Sequence, residues 1–538
     1  MKRVAIGLLM ASLFVCGCTR SGGQAVSPDT LSIALPINPQ QLNAILPQNS
    51  IENFTDGLIY DLLVTVDDKG NQVPDLAAVV PTQANGGISK DGLTITYHLR
   101  KNVKWHDGAP FTSKDVKYTW QQIMNPSNNV ISRHGFDQVK SVDTPDDSTV
   151  VFHMKHVFPP AVNIIFGEGD TVLRVLPEHL LAKYPNLNQI PFNAEPVGTG
   201  PYKFARWQRG DRIILNANPQ YFLGAPSIKQ LTLRIILDTN TTQAELRSHD
   251  VQLALEITTP TYHELESAAD ITRQIAQAPS YEGLFLNTSR TPLDDIRVRS
   301  AIALALDREQ MLKTNTFGVA TLAIADLSPF YKQYFDPSLK PLPYDPSQAK
   351  QLLTQAGWIP GSDGIRTKNG QRLSVQLAIA QGSDISRNLG VEIQQALKGV
   401  GIDVPVKSYD YATLYATAAA GGVLNTGKYD MAIYAWIQGA DPDNSSSWLC
   451  AMKPPAGNDV TRYCSSEMDA AQAQALSTFE VAKRKAAYSK IESLLLRDVP
   501  AIFFYYQNLR YAHIPQLQNF APNGISEGWN AYQWKIAP

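Results

Sequence analysis

Free thiols, catalytic signatures and an excess of either charge are what this 538-residue chain has least of. Lys and Arg number 47 against 49 Asp and Glu, a formal net charge of −2. That balance excludes a basic field for nucleic acid and gives no reason to expect a polyanionic partner. No GxSxG elbow, HExxH, P-loop or GxGxxG occurs, so an enzymatic reading has no motif behind it. Nine histidines are scattered. The nearest pair, His153 and His156, falls in an expected strand, where positions i and i+3 face opposite sides, so no metal site and no cofactor are expected. His106-Asp107, and Asp441 with Asp443 around Pro442, read as turn chemistry rather than as catalytic dyads. Beyond the first 17 residues no hydrophobic run is long enough to cross a bilayer, and neither repeats nor low-complexity blocks occur.

The N-terminus has a distinct character. Lys2 and Arg3 precede an apolar run from Val4 to Val15, and Val15-Cys16-Gly17-Cys18 follows. This is the pattern of a secretory signal peptide (1–17) with a lipobox, and it predicts lipidation of Cys18. Residues 18–27 then form a polar Gly/Ser-rich tether holding the protein to a membrane at the cell envelope, on its periplasmic or extracellular face. Of four cysteines, Cys450 and Cys464 remain. In an exported chain they predict a disulfide; a metal site at this pair lacks a nearby His.

The chain is long enough for about three domain-sized cores. Thirty-five prolines and 34 glycines, spread throughout, favour many turns over a helical bundle. Leu93 to Leu99 alternates as a half-buried strand, and Thr112-Ser113-Lys114-Asp115 reads as a capping box opening a helix. Val116, Trp120 and Ile123 then share one face. Helices are also expected at 173–184, at 292–312 as a single element, from Pro346 after the Asp345 cap, at 385–398 and at 482–496. Leu373 to Ala380, that fourth helix and Ile402 to Val406 form a strand–helix–strand unit, which implies parallel pairing and an α/β layer. Tyr281 to Asn287 and Ile502 to Tyr506 read as strands.

The string LRKNVKWHDGAPFTSKDVKYTW, reinforced by GTGPY at 198–202, resembles the signature of the extracellular solute-binding proteins of ABC importers, the oligopeptide, dipeptide and nickel-binding family (family 5). The resemblance extends from about Thr30 to the C-terminus. It implies an α/β, two-lobed periplasmic-binding-protein fold with a hinge and a ligand cleft. A discontinuous first lobe would comprise 28–60, 198–284 and 506–538, with an extra inserted domain at 61–197 and a second lobe at 285–505. The chain would cross between lobes near Asn287 and near Tyr505. The implied function is capture of a peptide or peptide-like solute and its delivery, by a monomer, to an ABC permease. An exported hydrolase of unknown type, a binder of a sugar, opine or metal chelate, and a sensor or chaperone surface are the other readings.

For the site, the resemblance points to YDMAIYAWIQGADPDN at 429–444. There a strand edge pairs with the ligand backbone and Trp436 lines the pocket; the alternative is that Trp436 is core. Ile437, Gln438, Gly439 and Asp441 complete this stretch. The family's usual aspartate three positions after the tryptophan is Gly439 here, leaving open whether Asp441 reaches in. The usual acidic residue before proline near the N-terminus is Asn38. Both departures suggest a ligand other than an ordinary free-amine peptide, or one anchored differently. Gln381 and Arg387, at a strand-to-helix junction, could hold a carboxylate, or Ser383 or Asp384 simply caps that helix. Tyr281 is either cleft wall or core.

Overall fold

The computed structural model describes residues 27–537, apart from the side chain of Asp384. The expected signal peptide, Cys18 and all but the last residue of the tether lie outside the described residues. Strand β1 (Thr30–Leu35) is followed by an inserted unit holding β2 (Thr94–His98), α1 (Ser113–Met124), β3 (Val139–Asp146) and β4 (Thr149–Met154). The chain returns through β5 (Tyr202–Gln208), β6 (Arg212–Ala217), β7 (Gln230–Ile235) and β8 (Leu253–Ala254). The long strand β9 (Thr272–Leu286) leads into the second lobe. That lobe contains β10 (Leu377–Ala380), α2 (Asp384–Gly399), β11 (Val406–Tyr409), α3 (Tyr411–Tyr415), β12 (Met431–Ile437) and α4 (Val481–Asp498). Strand β13 (Ala501–His513) leads back.

One sheet runs through both lobes in the order β11-β10-β12-β9-β13-β8-β1-β7-β6-β5. The parallel pairs sit away from the middle, β10 with β11 and β12, and β1 with β7 and β8. The lobes are joined by antiparallel β9 and β13, whose pairing runs from Thr272↔His513 to Phe285↔Ala501. Its register breaks between Gln277 and Tyr281, around Pro279. Proline has no N–H to give to a ladder, so the break falls where the sequence withholds a donor. The break lies at 278–280, opposite 507 and upstream of Asn287. Asn287 is buried in the second lobe, where its side-chain amide donates to the carbonyls of Gly427 and Tyr429.

The inserted unit is a three-stranded antiparallel sheet, β2-β4-β3, under α1. Asp115 closes the capping box by accepting the Thr112 N–H at 2.8 Å. Val116 and Ile123 are buried beneath this helix, with Trp120 packed at the margin.

Two helices differ from expectation. Residues 173–184 hold only the short turn Glu178–Leu181, Pro177 having interrupted the run. Residues 292–312 divide into Ile296–Ala305 and Arg308–Thr316, because Asp307 accepts the Gln310 N–H and starts a new helix. The second strand of the parallel unit is also displaced, to Val406–Tyr409.

Cys450 and Cys464 are joined, with Cα atoms 4.5 Å apart. The loop they close contains Asp459, whose Oδ1 accepts the Thr461 hydroxyl at 2.6 Å while Oδ2 is buried without a partner among the described residues. Burial pushes this carboxyl up to about 6, partly offset by Thr461 and Arg462. Replacing both cysteines by serine is expected to lower the unfolding free energy by about 3 kcal/mol, measured by denaturant titration. A raised folded-state value means that Asp459 stabilises fully below about pH 4 and loses that contribution as pH rises through 6. Asp459→Asn is therefore expected to flatten the decline of melting temperature over that window.

Candidate functional site

The end of β12 has an unusual hydrogen-bonding situation. On one side it pairs with β9, from Met431↔Leu286 to Ile437↔Ser280, and the Gln438 N–H donates to the Pro279 carbonyl at 2.8 Å. On the other side β10 accompanies it only at Met431 and Ala432 and then diverges. In an antiparallel ladder the inward- and outward-directed residues alternate. With Gln438 and Trp436 bonded inward to β9, the N–H and C=O groups of Ala435 and Ile437 face outward, on an edge that no described strand covers. Ile437 is 63% exposed.

Aromatic rings flank this edge. Trp436, half-buried, stacks on Tyr434 at 6.0 Å; Tyr434 meets Tyr415 at 5.9 Å, and Tyr415 meets Tyr411 at 4.4 Å. The row thus passes from β12 to α3, the helix that follows β11, and ends in Tyr411, which is 70% exposed. Tyr281 does not belong to it. It is 1% exposed, packed edge-on to Phe503 and stacked on Phe285, and so is core.

Beyond the strand, the chain runs against the inserted domain. The Ala440 N–H donates to the Glu168 carbonyl at 2.6 Å. A Cβ at Gly439 would lie 2.4 Å from the Gly169 carbonyl carbon, so no side chain fits there as the domains are placed. Asp441 does not offer a free negative charge. It is 4% exposed and held by both terminal nitrogens of Arg484, at 2.6 and 2.9 Å, with the Asn163 amide at 3.3 Å. Burial opposes the charge on Arg484, yet Asp441 beside it keeps the guanidinium well above its ordinary value. Nearby, His134 of the inserted domain lies 3.5 Å from Asp170 and 3.7 Å from Asp443. Burial opposes its charge too, but Asp170, Asp443 and Asp137 outweigh it and lift the imidazole to about 9.

Ala440, Asp441 and Arg484 line a cleft of about 660 Å³ together with Asn71, Gln83 and Asn163 of the inserted domain. A second space of about 340 Å³, lined by Gln277, Lys332 and Asn523, lies at the crossing strands. Lys332 spans the gap by donating to the Lys69 carbonyl at 2.9 Å.

Other expected residues are placed apart. Asn38 follows β1 in the first lobe, its Oδ1 buried without a partner among the described residues. Gln381 and Arg387 are exposed at the junction of β10 and α2, where Ser383 caps the helix by accepting the Ser386 N–H at 3.1 Å. Gln438 is 3% exposed, and neither its Oε1 nor its Nε2 meets a partner among the described residues. Sequence reasoning missed Tyr411, Tyr415 and Arg484. It also missed Glu282, which accepts the Tyr505 hydroxyl at 2.6 Å; burial raises this carboxyl, partly offset by Tyr505 and Gln507. The spacing of tyrosines at 411 and 415, one helical turn apart, was the available signal for the first two.

Two lobes strung on paired crossing strands, with a strand edge left open between them, define a hinged binding protein. Residues 71–457 match the family model of the bacterial extracellular solute-binding proteins, family 5, and the chain belongs to that family. The oligopeptide-binding protein AppA of Bacillus subtilis is 25% identical over 558 residues, covering 100% of both chains. Di/tripeptide-binding protein 2 of Pseudomonas aeruginosa is 27% identical over 528 residues, covering 91% of this chain and 92% of its own. Among solved structures, the same AppA in complex with a nonapeptide superposes with a TM-score of 0.77 at 25% identity, over 95% of this chain and 99% of that one. NikZ of Campylobacter jejuni in complex with Ni(L-His) does so with a TM-score of 0.78 at 25% identity, over 95% and 100%.

Removing one partner of the buried pair tests how strongly it fixes the loop. Arg484→Met, which leaves Asp441 buried and uncompensated, is expected to cost about 3–5 kcal/mol in denaturant titration. Pairing it with Asp441→Leu is expected to recover most of that loss.

Proposed function

We propose that this protein captures a peptide or peptide-like solute between its lobes and hands it to an ABC permease, acting as a binding protein without chemistry of its own. The observation that carries this reading is the open edge at Ala435 and Ile437. An extended ligand can pair there through its main chain while its side chains fall to either face, one of them lined by Tyr434 and Trp436. Main-chain pairing supplies affinity with little demand on side-chain identity. Closure of the lobes about 278–280 and 507 would bury such a ligand. The nonapeptide in the solved complex of AppA, and the names of the oligopeptide- and di/tripeptide-binding relatives, agree with this ligand class. The lipobox ending at Cys18 supports anchoring of the protein to a membrane at the cell envelope, and the balanced charge supports a partner set without nucleic acid.

Native mass spectrometry of protein purified from its host is expected to reveal a co-purified peptide-like ligand; a co-purified sugar or metal chelate would overturn the reading. Ile437→Pro provides a second check. It removes an outward N–H without touching the ladder to β9, so ligand affinity measured by calorimetry is expected to fall about tenfold or more with the melting temperature unchanged.

A further inference from the structure

The two spaces between the lobes share Lys69, Gly70, Phe330 and Lys332 in their walls, so Lys332 stands at their junction. The backbone that carries it is pinned on both sides of the site. The Ser328 hydroxyl donates to the Ala278 carbonyl at 3.1 Å, at the register break of the crossing strands. The Tyr331 hydroxyl donates to the Gly439 carbonyl at 2.6 Å, two residues beyond the open edge. The lysine side chain itself is exposed. Facing it, the turn at 67–71 is braced from within, because Asp67 accepts the N–H groups of Lys69 and Asn71 at 2.9 and 2.8 Å.

Charge on these walls is unevenly matched. The larger cleft is lined by Lys69, Lys332, Arg484 and a single carboxylate, Asp441. Asp441 and Arg484 neutralise each other, and the other donors of Arg484 go to the Ala475 carbonyl and to the hydroxyls of Tyr334 and Tyr488. Lys69 has Asp67 and Asp68 as chain neighbours, and Asp68 lines the smaller space. Lys332 is left over. An ammonium carries three donors; one of them reaches the Lys69 carbonyl at 2.9 Å, a neutral acceptor, and no ion pair among the described residues includes Lys332. A carboxylate arriving at this point adds the attraction of opposite charges, which a carbonyl lacks, and it meets a flexible stem that can turn to it.

We propose that Lys332 is a ligand-binding residue, which gives up the Lys69 carbonyl to receive a carboxylate of the peptide-like solute at the junction of the two spaces. This rests on the peptide reading given above. A C-terminal carboxylate and an acidic side chain present the same chemistry to it, and the probes below tell them apart.

The test is isothermal titration calorimetry of the full chain at neutral pH and low salt with three pentapeptides: Ala-Gly-Ala-Gly-Ala as the free acid, the same sequence as its C-terminal amide, and Ala-Gly-Ala-Glu-Ala as its amide. A carboxylate-bearing probe is expected to bind about tenfold tighter than the uncharged amide. If the free acid has this advantage, the source is the chain terminus; if the glutamyl amide has it, the source is the side chain. The advantage is expected to shrink with added salt. Lys332→Met keeps the stem and removes the charge, so it is expected to abolish the advantage, and Lys332→Arg is expected to keep it. Equal affinities of all three probes for the native protein overturn the proposal and leave the peptide reading intact. So does an advantage that survives in Lys332→Met, including the case in which every probe weakens by the same factor, as expected of a lysine that only bridges the lobes. Binding of none of the probes overturns the peptide reading and this inference together.

Discussion

The antiparallel pairing of 272–286 with 501–513 is the constraint on which the rest of the molecule depends. Each strand belongs to both lobes, so a single sheet runs through both of them, and its ladder shifts register around Pro279 and again between Glu282 and Gly283. Two lobes joined by two strands cannot slide freely past each other, because the ladder is made on both sides of the break at Pro279. The open edge of 431–437 is a direct consequence. That strand is aligned by its pairing with 272–286 right up to the hinge, whereas its other neighbour, 377–380, is fixed by the second lobe's parallel layer and turns away earlier.

The loop after this strand is held by hydrogen bonds to neighbouring backbone and side chains and by a buried charge pair. Asp441 and Arg484 form a buried bidentate pair within reach of Asn163 from the inserted domain. Such a pair is poor evidence for stability, since desolvation offsets much of the attraction, but it is demanding in geometry. Here that geometry sets where 439–441 meets the backbone of 168–170, and so how the inserted domain faces the second lobe. His134, between Asp170 and Asp443, adds a second charged contact along the same seam.

Much of the architecture was legible in local patterns. The capping box at Thr112, the Asp345–Pro346 helix start and the pairing of Cys450 with Cys464 each depend on a few residues whose chemistry is self-contained. The misread segments depend on competition between signals. Apolar periodicity through 292–312 suggested one helix, but Asp307 captures the Gln310 N–H and ends the first helix early. The stretch TRQIAQAP alternates weakly and ends in proline, so the first half of the long crossing strand was hidden. At the site, the strand and Trp436 could be placed from sequence. Tyr281 could not be assigned, because an aromatic at a crossing strand has the same pattern whether it faces a cleft or a core. The state of Asp441 was also out of reach, since its partner lies at position 484 and is brought in only by the packing of the long helix 481–498.

Gly439 has a consequence for how the binding preference of such a protein can change. The obstacle to a side chain there is not in the pocket but in the backbone of Gly169, on another domain. Any substitution at 439 must therefore be accompanied by a shift of the 168–170 segment. A side chain at 439 thus takes two changes, the first of them in the backbone of another domain.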